Sequence, residues 1–316
     1  MQEFGGYIEL DRYSLPLLHD GAIALNCARN ALAYLIKARK IKRILIPKFL
    51  CDSVQKVCER EGVQVKYYSI NKDFLPVDVL LEPDEYLYIV NFYGQISNEL
   101  LGEFADKYQR VIVDNVQAYF QDPIPGVDTI YTCRKFFGVA DGAFLYTDAG
   151  IDYELETDES FDRMRFLLGR FERTASEFYS EYVLNNDLFE SAPIKKMSKL
   201  TDNLLRAIQY EDVKRRRTEN FRILHGAFCN MNKLDLTVPE GAFMYPLYID
   251  GGAELRKKLQ KKQVYIPTLW PDVFDVCEMS EIEYDMAANI LPIPCDQRYC
   301  EESILNLIKI IKEIIK

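Results

Sequence analysis

Histidine is nearly missing from this sequence. The 316 residues hold two, His19 and His225, too few for a histidine-based triad or a multi-histidine metal centre. Acid–base chemistry in such a chain falls to lysine, carboxylate or tyrosine. The eight cysteines, Cys27, Cys51, Cys58, Cys133, Cys229, Cys277, Cys295 and Cys300, form no C-x-x-C pair. No histidine stands beside them at zinc-ligand spacing, so no metal is expected and the thiols read as reduced and mostly packed. No apolar run reaches the ~20 residues of a membrane span. The opening residues Met1 to Gly6 lack the basic and apolar stretches of a secretory signal, and the expectation is a cytoplasmic protein. A net charge of −10, with acids and bases interspersed, offers no basic face to nucleic acid.

What is present suits a folded enzyme. Hydrophobic residues make up 48% of the chain, enough for one large core, or a large domain and a small one. The first half alternates helical and strand patterns. Helices are expected at Ala28 to Arg39 (with Asn26 as cap), Cys51 to Glu61 and Ser97 to Tyr108. Strands are expected at Arg43 to Ile46, stopped by Pro47, and at Val63 to Tyr68, Glu85 to Phe92, Val111 to Asp114, Thr129 to Thr132 and Gly142 to Thr147. Such alternation predicts an α/β fold with a mainly parallel sheet covered by helices. From about Asp158 to Asn230 the pattern is helical. Its basic run Lys214-Arg215-Arg216-Arg217 reads as a solvated or subunit-facing helix side. The rest mixes strands at Tyr245 to Ile249 and Val264 to Ile266 with a last helix at Glu301 to Ile315. The expected division is a large domain over residues 1–230 and a small α+β domain over 231–316.

Ligands of open α/β sheets lie beyond the carboxyl ends of strands, where Asp114 stands. The next strand leads into Thr132-Cys133-Arg134-Lys135, then Phe136-Phe137-Gly138 and Asp141-Gly142. A pyridoxal phosphate site needs a lysine for the Schiff base and a carboxylate facing the pyridine nitrogen. It also needs a helix N-terminus for the phosphate and an aromatic ring for stacking. Lys135, Asp114, the helix start at Ala28-Arg29-Asn30 with Thr132, and Phe49 supply those parts. Taken singly each has a plainer reading: a surface side chain for Lys135 and Gln117, core packing for Phe49 and Val116.

Together these segments resemble the DegT/StrS-type sugar aminotransferases, fold type I pyridoxal-phosphate enzymes. Val113-Asp114-Asn115-Val116-Gln117-Ala118 is similar to the family's D-x-A-Q/H segment. Arg134 to Gly138 with Asp141-Gly142 is similar to its cofactor lysine and glycine-rich turn. Cys27-Ala28-Arg29-Asn30-Ala31-Leu32 resembles its phosphate segment, Ile46-Pro47-Lys48-Phe49 its strand–Pro–aromatic element, and Val90 to Gln95 its V-x-x-Y-G-Q stretch. The five lie in the family's order. The resemblance implies a fold type I large domain and a small C-terminal domain, pyridoxal phosphate on Lys135, and Asp114 at the pyridine nitrogen. It implies that Val116 and Phe49 pack on the ring, Gln117 lies near its substituents, and Thr132 with Ala28, Arg29 and Asn30 holds the phosphate. It further implies a homodimer that passes an amino group, from glutamate by family habit, to a nucleotide-linked keto-deoxysugar for polysaccharide. A small keto or amino compound as substrate, or a non-catalytic homologue, remain alternatives.

This chain departs from the pattern in carrying Ala28-Arg29 for Gly-Thr, in a shorter segment before that helix, and in lacking the asparagine that reaches a partner's phosphate. Arg29 either pairs with a phosphate, of cofactor or substrate, or faces solvent. Candidate substrate residues are Tyr93, Trp270 (the lone tryptophan, lining a cleft or sealing a core) and Arg298. Arg298 either takes a substrate carboxylate or forms a salt bridge with Asp296 or Glu301.

Overall fold

A computed structural model describes residues 4–315. Met1, Gln2 and Glu3 of the opening segment, and Lys316, lie outside the described residues. The first half builds one sheet from β1 (Ile23–Leu25), β2 (Arg43–Pro47), β3 (Gln64–Ile70), β4 (Pro76–Val77), β5 (Glu85–Val90), β6 (Val111–Asp114), β7 (Asp128–Thr132) and β8 (Ala143–Tyr146). Helices α1 (Ala28–Arg39), α2 (Asp52–Arg60) and α3 (Asn98–Tyr108) join them. The strand order is β1-β8-β7-β6-β5-β2-β3-β4. Neighbours β7, β6, β5, β2 and β3 pair in parallel, and only β8 and β4 run against the rest. The central strands are nearly continuous apolar runs because helices cover both sheet faces. Val111, Ile112 and Val113 of β6 are all buried.

The carboxyl ends of β1, β2, β5, β6 and β7 therefore meet at one edge of the sheet, and the connections leaving that edge carry the candidate residues. A different helical layer follows: α4 (Arg165–Glu172), α5 (Tyr179–Ser191), α6 (Lys199–Leu205) and the long α7 (Tyr210–Phe228). A second, two-stranded sheet pairs β9 (Met244–Tyr248) with β10 (Ile290–Pro294), flanked by α8 (Gly252–Gln260), α9 (Val273–Val276), α10 (Ile282–Asn289) and α11 (Glu301–Ile315). One apolar core runs unbroken from Leu25 to Ile311, through both sheets. Among the described residues no helix is long and apolar enough to cross a membrane, and no cluster of His, Cys, Asp and Glu is placed to hold a metal.

Several expectations need correction. Asn26 does not cap α1; Cys27 occupies that position, and the Asn26 amide bonds Asn30 and Pro193 instead. Pro47 closes β2 from inside, aligned with Tyr68. Residues 264–266 form no strand, and the partner of β9 is Ile290–Pro294, which holds two prolines. Proline is tolerated there because both members of a two-stranded ribbon are edge strands. The short strands β1 and β4 lack enough residues to show a period. The basic run on α7 divides. Lys214 and Arg215 pair with acids one turn away, whereas Arg217 is buried, 2% exposed. Its guanidinium donates to Gln297 Oε1 (2.7 Å) and to the carbonyls of Ala242 (2.9 Å) and Phe136 (3.2 Å).

Candidate active site

Asp114 ends β6 with its carboxylate buried, 4% exposed. Two donors hold it. The Val116 N–H donates to Oδ1 (2.9 Å), in the tight turn that follows the strand. The Tyr88 hydroxyl, from neighbouring β5, donates to Oδ2 (2.7 Å). Burial still pushes the carboxyl's pKa up from its ordinary value, against the opposing pull of the Lys135 charge and the two hydrogen bonds.

Lys135 lies in the turn between β7 and the antiparallel β8. The turn closes with Phe136 N–H and Phe137 N–H both donating to the Cys133 carbonyl. The lysine side chain reaches solvent, yet surrounding protein desolvates it and lowers its pKa from 10.5. Asp114 and Cys51 pull the other way, and the positive charges of Arg134 and Arg29 add to the lowering. Lys135 and Asp114 form no direct ion pair; their charges act across an intervening space. The ammonium stands 5.7 Å from the centroid of the Phe243 ring.

The remaining positive charge collects at the start of α1. Cys27 is extended there (φ −161°, ψ 162°) and provides no side-chain cap, so the first-turn N–H groups of the helix keep no such partner. Arg29 donates to the Asn186 carbonyl (2.8 Å), and Arg134 donates to the Asn186 side-chain oxygen. The Arg134 guanidinium lies 4.9 Å from the Phe189 ring centroid, and burial lowers its pKa. Neither arginine pairs with a carboxylate. Asn186 and Phe189 belong to α5, so this helix aims both guanidiniums at one place.

The structure sorts the other sequence candidates. Thr132 ends β7, three residues before Lys135, and its hydroxyl has no hydrogen-bond partner among the described residues; Val116 follows Asp114, 9% exposed. Gln117 is buried, and its Oε1 accepts the Tyr93 N–H (2.7 Å). That bond steadies a backbone in the left-handed region, since Tyr93 has φ +55°. Asn30 is consumed structurally: it donates to Asn26 and the Pro193 carbonyl and accepts from Arg60. Ala28 opens the helix.

Phe49 offers no open face. Its ring is fully buried, 4.4 Å by centroid from Trp270 and 5.3 Å from Phe92. Trp270 seals the same aromatic cluster instead of lining a cleft. Tyr93 belongs to that cluster too, with a buried hydroxyl that has no partner. Arg298 is occupied by a two-pronged pair with Asp296 (2.7 and 2.9 Å). The three proposed substrate residues thus pack or pair within the protein. Sequence reasoning missed Tyr88, Arg134 and Asn186. The alternation Tyr86, Tyr88 marked a strand, but nothing local says which tyrosine faces the next strand's carboxylate.

No family model matches the sequence, and no curated protein matches it. Solved structures do. The sugar aminotransferase CalS13 from Micromonospora echinospora is 13% identical, with a TM-score of 0.61 over 92% of this chain and 87% of that one. A DegT DnrJ EryC1 StrS aminotransferase from Brucella abortus is 13% identical, with a TM-score of 0.63 over 93% and 86%. NtdA from Bacillus subtilis, with bound cofactor PMP, is 12% identical, with a TM-score of 0.65 over 93% and 73%. The chain has the fold type I transferase fold. At these identities the likeness is one of fold.

Tyr88 can be tested without any ligand. In Tyr88→Phe the buried carboxylate loses one of two donors, which should cost about 1.5–3 kcal/mol of stability at neutral pH. The loss of a donor raises the folded carboxyl's pKa further. Because the folded group then holds its proton more tightly than the unfolded one, stability is lost as pH rises through this range. The deficit against wild type should therefore shrink as pH falls. Urea unfolding of both proteins across pH checks it, and a deficit independent of pH refutes it.

Proposed function

We propose that the chain is a pyridoxal-phosphate-dependent aminotransferase acting on a sugar. One observation carries the reading. A solvent-reaching lysine of lowered pKa shares a sheet edge with a buried carboxylate and with two guanidiniums that form no ion pair among the described residues. The likeness in fold to sugar aminotransferases supports it.

The residues fit the cofactor. Lys135 Nζ makes no ion pair and is free for covalent attachment. Lys135, Arg134 and Arg29 against Asp114 leave two positive charges in excess, matching a phosphate dianion. Arg29, Arg134 and the first-turn N–H groups of Ala28, Arg29 and Asn30 would hold that phosphate, with the Thr132 hydroxyl as a further donor. Val116 and Gln117, just after Asp114, would line the ring. Phe49 is left out, because its faces are spent in the core. When bound, pyridoxal phosphate supplies an electron sink and carries the amino group from donor to acceptor.

The chain's own part is proton handling and charge placement. Tyr88 and the Val116 N–H keep both Asp114 oxygens fixed, so its charge faces one direction. Desolvation keeps more of Lys135 neutral near neutral pH than an ordinary lysine, so Nζ can attack a carbonyl and can accept and return a proton. The finer reading rests on the motif resemblance: glutamate as donor, a nucleotide-linked keto-deoxysugar as acceptor, in cytoplasmic polysaccharide biosynthesis.

Borohydride treatment of protein incubated with pyridoxal phosphate should fix the label on Lys135, found by peptide mapping. Capture should rise with pH at a midpoint below 10.5, since only the neutral amine attacks and burial lowers its pKa. Asp114→Asn should still capture the cofactor but lose on the order of 10²-fold in donor half-reaction rate, about 3 kcal/mol of barrier. Label on another lysine, or none, defeats the reading.

Arg134→Ala should weaken cofactor retention by about 1.5–3 kcal/mol, the range for hydrogen bonds to charged groups. Titrating apo-protein with pyridoxal phosphate measures this; unchanged affinity would assign the arginine to another anion.

The proposal includes a homodimer. Phe171 and Leu168 on α4 and Tyr179 and Leu184 on α5 are exposed, Phe171 to 92%. Apolar surface of this kind marks an association site. The interface should bury roughly 2,000 Å² or more. Light scattering at micromolar concentration should give twice the chain mass; a fully active monomer contradicts it.

A further inference from the structure

We propose that Arg217 is a positioning residue: by clamping the Phe136 carbonyl to the segment before β9, it sets where the Lys135 amine stands. The inference deepens the functional reading above, since it concerns the lysine on which that reading rests.

Phe136 directly follows Lys135, and both hydrogen-bonding sites of its carbonyl are taken. Arg217 Nη2 donates to it at 3.2 Å and Gln297 Nε2 at 2.7 Å. Arg217 Nε donates in turn to Gln297 Oε1 (2.7 Å), which fixes the amide's orientation. The guanidinium also lies 4.5 Å from the centroid of the Phe136 ring. Its third nitrogen reaches the other side, donating to the carbonyls of Ala242 (2.9 Å) and Phe243 (3.4 Å). Phe243 is the residue whose ring stands beside Lys135 Nζ.

One buried cation therefore fixes the residue after the lysine and the ring beside its amine. Only arginine offers donors in three directions from one rigid plane. The next residue on α7 adds a bond: Thr218 Oγ1 accepts the Gly241 N–H (2.8 Å). Gly241 (φ +62°) runs so near Phe120 that a Cβ there would meet the ring at 2.2 Å, so the segment passes with no slack. No carboxylate pairs with Arg217. A charge kept there at the cost of burial, with Asp296 acting only from a distance, serves its carbonyl acceptors.

The charged and titratable groups that act on Lys135 are Asp114, Cys51, Arg134 and Arg29. None of them is altered by a change at Arg217 or Gln297. Any shift in the amine's behaviour in such variants must come from its position. The test uses the full chain without cofactor. Acetic anhydride, a small amine-acylating reagent, is applied in trace amounts across pH, and acylation of each lysine is read by peptide mass spectrometry. In Arg217→Lys and in Gln297→Leu, the turn loosens and Nζ gains water. The Lys135 acylation midpoint should then rise toward the ordinary lysine value by about one pH unit or more, while the exposed Lys257 keeps its own.

A purely structural role would lower the melting temperature of Arg217→Lys and leave the Lys135 midpoint at the wild-type value. That result overturns the inference. Should Arg217→Lys fail to fold, Gln297→Leu decides alone, because Gln297 is only half-buried and its replacement is expected to leave the fold intact. An unchanged midpoint in that variant overturns the inference equally. Since no cofactor is present, the outcome stands apart from the functional reading. A protein that shows the shift and binds no pyridoxal phosphate keeps the positioning role and loses the proposed function.

Discussion

The candidate site depends on a carboxylate buried at the end of a parallel strand. Taking Asp114 out of water costs several kcal/mol before compensation, and no cation touches it. What compensates is a tyrosine on the next strand, a backbone N–H in the turn beyond, and a lysine acting at a distance. Register places Val90 against Asp114 across β5 and β6. Tyr88, two residues earlier on β5, therefore points to the same face of the sheet, and its length brings the hydroxyl to the carboxylate. The compensation is incomplete, as the raised pKa shows. A carboxyl group shifted by burial in this way marks a candidate functional site.

The positive groups show the complementary imbalance. Arg29 and Arg134 could have found carboxylates on a chain whose net charge is −10. Elsewhere arginines do: Arg39 forks onto Asp128 and Arg298 onto Asp296. At the start of α1 both instead bond to Asn186, a neutral residue that orients them without cancelling them. The helix dipole points the same way. Cations and dipole together raise the local potential and so lower the energy of an anion placed there.

Much of the sheet was legible because its strands are short apolar runs between clear punctuation. Val111-Ile112-Val113-Asp114 could hardly be anything else, and Ala28 to Arg39 carries a helical period that the structure matches to the residue. The positions of Lys135 and Asp114 at one sheet edge could be anticipated from the strand pattern, since Asp114 ends β6 and Lys135 lies in the turn that leaves β7. Harder to read was what neighbours distant in sequence decide. Phe49 looked like a stacking ring, but Trp270, 221 positions away, closes over it. The strand Ile290–Pro294 was hidden by prolines that are harmless only because its ribbon has two edges.

Arg217 shows where a subtler signal was present. In a run of four basic residues it looks like its neighbours. Helical phase separates them. The buried side chains of α7 include Tyr210, Arg217, Phe221, Leu224 and Phe228, spaced seven, four, three and four apart. That is one continuous stripe facing the core, with a guanidinium where an apolar residue would be the economical choice. Charge on the buried stripe of an amphipathic helix is expensive unless several acceptors converge on it, so it predicts convergence before any coordinates exist. The acceptors come from the turn after Lys135, the segment before β9 and the loop before α11. A residue that reads as surface by composition and as core by phase is therefore worth more than either label, because the conflict itself marks the point where distant segments are tied together.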